Sequence, residues 1–231
     1  MKKLLFILAL LVSFSSFGQT AEEYFDSGYD KAEAKDYYGA ISGYNKAIGL
    51  DPNYAAAYYN RGSIKAKLKD YYGSISDLTK AIKLDPNNAM AYNNRGVSKN
   101  KLEDYSGSIS DYNKAIELDP NFADAYNNRG DSKDDLKDYN GAISDLTKAI
   151  EIEPSSTYYK NRGNSKKNLK DHSGAISDYT KAIELEPNDA GTYNNRGISK
   201  YHADLNGCPD LMKAKELGYN VHPGAMKAIC N

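Results

Sequence analysis

The sequence predicts an all-α protein built as a stack of helix pairs, and three observations carry that prediction. First, residues recur at a fixed period: Gly28, Gly62, Gly96 and Gly130 stand 34 residues apart, as do Pro52, Pro86, Pro120 and Pro154. Second, the apolar residues of each period fall at helical spacing. Ile109, Tyr112, Ala115 and Ile116 make one stripe, as on a helix with one buried side. Third, no segment alternates apolar and polar residues over a useful length, so strands have no support. A single helix pair cannot bury its stripes alone; stacking on the next pair closes one continuous core.

In chain order, residues 1–18 read as an address. Lys2 and Lys3 precede an apolar run from Leu4 to Val12, and Ser16-Phe17-Gly18 places small residues where a signal peptidase cuts. The run is shorter than the ~20 apolar residues of a spanning helix. Cleavage after Gly18 is expected, with an uncleaved anchor or a buried first helix as alternatives. The cleaved chain is expected to be periplasmic or secreted, with no stable membrane insertion. Five repeats follow at 21–54, 55–88, 89–122, 123–155 and 156–189, then a degenerate sixth at 190–220 and a capping segment at 221–231. One residue is missing between Pro154 and Tyr158, in the turn joining two repeats, where no helix has to rotate to absorb it. Asp70, Asp104, Asp138 and Asp171 read as caps at the turn inside each repeat.

Composition excludes several classes of function. A formal net charge of -1 over 231 residues gives no basic field to collect phosphates, so nucleic acid is not an expected partner. His172, His202 and His222 lack the spacing of metal ligands, and neither a Gly-rich phosphate loop nor a G-x-S-x-G setting occurs. No metal, no cofactor and no enzymatic activity are expected.

The repeated residues resemble the tetratricopeptide-repeat family. The resemblance rests on an aromatic at Tyr24, Tyr58, Tyr92, Tyr126, Tyr159 and Tyr193, and on the glycine four residues later, through Gly163 and Gly197. The second helix contributes a small residue (Ala40, Ser74, Ser108, Ala142, Ala175 and, in the sixth repeat, Cys208). It then brings Tyr or Leu (Tyr44, Leu78, Tyr112, Leu146, Tyr179, Leu211) and an alanine from Ala47 to Ala214. The signal covers about 21–218. Two departures stand out: Arg precedes the glycine in five repeats (Arg61, Arg95, Arg129, Arg162, Arg196), and the sixth repeat is shortened around Pro209. The resemblance implies a right-handed superhelical solenoid whose concave groove, lined mainly by first helices, binds another protein or a peptide segment.

By the same resemblance, the groove positions are the second, fifth, ninth, twelfth and thirteenth residues of each repeat. The candidate binding residues are Tyr59 in repeat 2, Asn93 in repeat 3, and Asn127, Asp131, Asp134 and Asp135 in repeat 4. Repeat 5 adds Lys160, Asn164 and Lys167, and repeat 6 adds Asn194 and Tyr201. An Asn presents a donor and an acceptor, which suits the backbone of an extended peptide. The charges are expected to favour a basic stretch near repeat 4 and an acidic one near repeat 5. A structural reading stands beside this one. The second Asn of each pair (Asn60, Asn94, Asn128, Asn161, Asn195) is expected to bond at repeat junctions, and each Arg to pair with a neighbouring acid.

Cys208 and Cys230 are read as a disulfide that pins a short helix from Gly224 to Ile229 over the end of the array, the alternative being two reduced thiols. The function expected is a non-enzymatic protein- or peptide-binding scaffold outside the cytoplasmic membrane of a bacterium. The rival expectations are a self-associating module, giving a weak homo-oligomer, and recognition of envelope glycan.

Overall fold

The computed structural model describes residues 19–230, so the leader reading of residues 1–18 lies outside the described residues. Thirteen helices follow one another there: α1 (Ala21–Glu33), α2 (Tyr37–Leu50), α3 (Ala55–Lys67), α4 (Tyr71–Leu84), α5 (Ala89–Asn100), α6 (Tyr105–Leu118), α7 (Ala123–Asp135), α8 (Tyr139–Ile152), α9 (Ser156–Asn168), α10 (His172–Leu185), α11 (Ala190–His202), α12 (Cys208–Glu216) and α13 (Pro223–Cys230). None among the described residues is long and apolar enough to cross a membrane.

Local chemistry sets the helix ends. Thr20 opens α1 with a reciprocal capping box to Glu23. Every second helix from α2 to α10 starts at an Asp whose carboxylate accepts from the backbone N–H three residues on, as Asp70 does from Gly73 at 2.9 Å. A Cβ on Gly73 would run into that carboxylate, which is why the motif reads D-x-x-G. The residue just before each capping Asp is left-handed, and it is not glycine: Lys35, Lys69, Glu103, Lys137 and Lys170 have φ of 63–65°.

Packing follows the sequence stripes. Tyr44, Tyr112 and Tyr179 alternate with Leu78, Leu146 and Leu211 at one equivalent position, all 0–1% exposed. Each large side chain lies against the first-helix glycine of its own repeat. A Cβ on Gly96 would sit 2.6 Å from the Tyr112 ring. In the sixth repeat the small residue facing Gly197 is Gly207, where any Cβ would collide with the Gly197 carbonyl. This corrects the assignment of Cys208 to that place: the shortened loop moves the close approach one residue earlier and frees Cys208 for its disulfide.

One polar assembly recurs from repeat 2 to repeat 6. The arginine before each glycine forks onto the carboxylate of its own second helix: Arg61 on Asp77, Arg95 on Asp111, Arg129 on Asp145, Arg162 on Asp178 and Arg196 on Asp210. The N–O distances are 2.6–3.0 Å. Its third nitrogen, Nη1, reaches back to the preceding repeat, to Asn45, Thr79, Asn113, Thr147 or Thr180, at 2.6–3.2 Å. A lysine one turn further on pairs with the same carboxylate at 2.8–2.9 Å. The guanidinium also lies over the repeat's first tyrosine, 5.4–5.6 Å from the ring centroid. The expected pairing of each Arg with a neighbouring acid is therefore present, with a reach across the junction that spacing alone did not suggest. Repeat 1 lacks both the arginine and the carboxylate, carrying Ser27 and Gly43 in their places.

The array ends in a cap. α13 touches α11 and α12, and Cys230 is disulfide-bonded to Cys208 with 4.9 Å between Cα atoms. Val221, Met226 and Ile229 cover Leu211, Tyr193 and Ile198. The stack curves in one sense. Consecutive first helices touch (α1 with α3, α3 with α5, α5 with α7, α7 with α9, α9 with α11), whereas consecutive second helices do not. The first helices therefore line the concave face.

Candidate functional site

The concave face has a knitted floor and an open surface. The floor is a row of small polar side chains at the fifth, sixth, ninth and tenth positions of the first helices. Asn128 Nδ2 donates to Asn93 Oδ1 at 3.0 Å, Asn161 Nδ2 to Asn127 Oδ1 at 3.0 Å, and Asn195 Nδ2 to Asn164 Oδ1 at 3.2 Å. Beneath it, Ser74 bonds Ser98 and Ser108 bonds Ser132, each at 2.8 Å and buried. Where the partner serine is replaced by Ala175, the Ser199 hydroxyl is left buried without a hydrogen bond.

Three of the candidate positions lie in this floor. Asn93, Asn127 and Asn194 are only 7–9% exposed, and the amides of Asn93 and Asn127 are engaged across repeat boundaries rather than presented to a ligand. First helices approach side by side, so a fifth-position side chain points into the seam between neighbours. Asn164 is similarly held, by Tyr179 at 2.8 Å and by Asn195. Lys160 pairs with Asp189 at 2.9 Å, which removes one of the two lysines expected to attract an acidic stretch.

The open surface carries what remains. Asp131 and Asp135 on α7 are exposed and make no ion pair within 4 Å among the described residues. Asp134, between them in sequence, accepts from Ser165 at 2.6 Å and from Asn168 at 3.2 Å. The hollow around Asp131 desolvates its carboxyl and pushes it above the ordinary carboxylate range; Asp135 and Asp134 add to the rise, and Lys101 opposes it. Lys167 is shifted the other way: crowding lowers its ammonium, with Asp134 partly compensating. Tyr201 is 44% exposed at the far end, edge-on to His202, which stacks on His172 with ring centroids 5.0 Å apart. That histidine contact joins α10 to α11 and has no sequence signal. No cluster of three or more metal-ligating side chains occurs among the described residues.

The other end of the groove holds a hollow of about 260 Å³ between α1 and α3. Tyr29, half exposed, and Tyr59 stand over Ala32 and Ile64, with Glu33 and Lys67 at the rim. Tyr59 accepts from Asn94 Nδ2 at 3.2 Å, which leaves its ring in the hollow. Asn60 was expected to bond at a junction as its counterparts do. It forms no side-chain hydrogen bond among the described residues, because repeat 1 offers Phe25 where later repeats offer an acceptor. Tyr44 is 1% exposed and lines the hollow from below; burial pushes its hydroxyl up to about 12, with Tyr29 and Glu33 adding to the rise.

Comparison with known proteins agrees with this architecture. The tetratricopeptide repeat model matches residues 55–88, 123–156 and 157–189, and a second TPR repeat model matches residues 99–133. No curated protein sequence matches significantly. Among solved structures, MamA is 27% identical over 74% of this chain and 94% of its own, with a TM-score of 0.66. A tetratricopeptide repeat protein from Parabacteroides merdae ATCC 43184 is 20% identical over 93% of this chain and 100% of its own, with a TM-score of 0.70. YrrB, described as a TPR protein with an unusual peptide-binding site, is 21% identical over 80% of this chain and 96% of its own, with a TM-score of 0.65. With paired helices, a 34-residue period and matching repeat models together, the chain belongs to the tetratricopeptide-repeat family.

Proposed function

We propose that this chain is a non-enzymatic scaffold that holds an extended segment of another protein along its concave groove. One observation carries the reading: the first helices divide into a hydrogen-bonded floor and a row of side chains that the fold does not use. Asp131 stands in that row at an electrostatic cost to the folded chain, as groups kept for a ligand do, and Asp135 stands exposed beside it. Repeat 4 then favours a basic stretch of the bound segment. The preference for an acidic stretch beside repeat 5 is reduced to Lys167, since Lys160 is paired.

A random dodecapeptide library displayed on phage tests this. Panning on the purified chain should enrich sequences containing Lys or Arg. Asp131→Asn combined with Asp135→Asn should weaken the enriched peptides about tenfold, the size of one lost charge-assisted contact. Absence of enrichment, or enriched peptides indifferent to both substitutions, would remove the groove from consideration.

The scaffold is proposed to work outside the cytoplasmic membrane. Support comes from the leader pattern of residues 1–18 and from the Cys208–Cys230 bond, a linkage that persists in oxidising compartments. Terminal sequencing of the protein from a fractionated bacterial host should give Gln19 as the first residue. An intact Met1 in the cytosolic fraction would overturn the assignment.

A further inference from the structure

The row of sixth-position amide bonds breaks at one place. In repeats 3 to 6 the sixth-position Asn donates to the preceding repeat: Asn94 to Tyr59 and Ser63, Asn128 to Asn93, Asn161 to Asn127 and Asn195 to Asn164. Asn60 is the counterpart in repeat 2, and its amide stays uncommitted among the described residues, facing the hollow between α1 and α3. A second group is uncommitted there. Tyr179, equivalent to Tyr44 four repeats on, gives its hydroxyl to Asn164 at 2.8 Å. Tyr44 has Tyr29 rather than Asn at that ninth position, and its hydroxyl forms no side-chain hydrogen bond among the described residues although the residue is 99% buried, being 1% exposed.

We propose that this hollow is a socket for a tyrosine side chain of an extended peptide, with the Tyr44 hydroxyl bonding its tip and the Asn60 amide holding the main chain beside it. The inference rests on the groove reading above and names the residue the groove selects. The ring of the guest lies between Tyr29 and Tyr59 over Ile64, in a hollow of about 260 Å³ whose aromatic walls are interrupted by the polar groups of Asn60, Ser63 and Asn94. An Asn amide matches a peptide bond, donating to its carbonyl and accepting from its N–H. The Tyr44 hydroxyl at the bottom of the hollow decides between guests: a phenylalanine would displace water from it and return nothing, whereas a tyrosine replaces the lost bond. Glu33 and Lys67 at the rim suit a neighbouring residue of either charge, so selection falls on the aromatic.

The peptides enriched on the wild-type chain supply the probe. They should carry a tyrosine, and synthetic copies with phenylalanine in its place should bind about tenfold more weakly, the cost of one buried unpaired polar group. Tyr44→Phe should abolish that difference between the two peptides, and Asn60→Ala, which breaks no bond of the fold, should weaken both. Titration with the tyrosine peptide should shift the Ile64 methyl signals in an NMR spectrum of the unmodified chain, a readout that survives if a variant folds poorly. Peptides that bind without a tyrosine, ignore Asn60→Ala and leave Ile64 unmoved overturn the socket; the groove reading stands if those peptides still respond to Asp131→Asn with Asp135→Asn. A library that yields no binder ends both.

Discussion

Arg129 grips Asp145 through two parallel hydrogen bonds, Nε to Oδ2 at 2.9 Å and Nη2 to Oδ1 at 2.6 Å, with the carboxylate side chain only 6% exposed. A fork of this kind satisfies a buried charge that would otherwise be costly. Asp145→Ala strands Arg129 and Lys133 together, and should destabilise the chain by about 3 kcal/mol. Arg129→Lys should also destabilise it, because an ammonium cannot hold Asp145 bidentately and reach Asn113 at once. Joint replacement, Arg129→Met with Asp145→Leu, should cost less than Asp145→Ala alone, since no charge is then left behind. Calorimetric unfolding of the three variants checks the order.

Asp210 gives the same clamp a pH dependence at the array's end. Burial raises its carboxyl, but the hydrogen bonds and charges of Arg196 and Lys200 together outweigh burial and hold it below the usual carboxylate range. The sign follows from linkage: a depressed carboxyl contributes stability above its unfolded value of about 3.9 and loses it as pH falls through the folded value. Acid unfolding of the wild type should therefore include a component below about pH 4 that Asp210→Asn lacks. The asparagine variant should be less stable at neutral pH, with the two chains converging in acid, as followed by circular dichroism.

Asp131 behaves in the opposite sense. Its carboxyl is raised in the folded chain, so folding favours the protonated form; that contribution is complete below the unfolded value and disappears as pH rises through the folded one. At neutral pH the desolvated carboxylate, further repelled by Asp135 and Asp134, carries this cost. Asp131→Asn should stabilise the chain by a few tenths of a kcal/mol after solvent screening. The gain should vanish below about pH 4, where both chains are neutral at this position. A thermal shift measured at both pH values decides it, and the same variant should bind basic peptides less well.

The Cys208–Cys230 bond closes a loop of 22 residues over the last helix pair. Loop entropy assigns it about 3 kcal/mol. Cys230→Ser, or a reductant, should lower the unfolding temperature and raise hydrogen exchange in α12 and α13, with α3 to α8 unchanged, because contacts in a repeat array run between neighbours.

The helix pairs, the caps at Asp70, Asp104, Asp138 and Asp171, and the disulfide were legible in the sequence because each depends on residues close in the repeat or on one pair of cysteines. Asp104 announces α6 by itself, and the stripe from Ile109 to Ile116 announces which side is buried. The site was less legible. Asn93 and Asn127 look like free amides until the neighbouring first helix is seen to cover them, and a seam between two helices leaves no mark within either. Lys160 was read as a groove charge because its partner Asp189 lies in the next inter-repeat turn. Cys208 takes the place of the small residue only if the sixth repeat has a loop of full length; in the shortened loop Gly207 makes the contact with Gly197. The left-handed Lys69 gave no hint at all, since Lys carries none of the turn preference of Gly or Asn. The uncommitted Asn60 became visible only against the bonded Asn94, Asn128, Asn161 and Asn195.

The back-reaching guanidinium gives the array a direction. Arg162 takes its acceptor, Thr147, from the repeat made before it, and Thr147 keeps its own bond to the Ile143 carbonyl whether or not Arg162 arrives. Each hairpin from repeat 2 onward therefore takes one acceptor from the hairpin before it in the chain. Removing repeat 1 would therefore leave Arg61 Nη1 without Asn45, whereas removing the last repeat takes no acceptor of this kind from any remaining arginine.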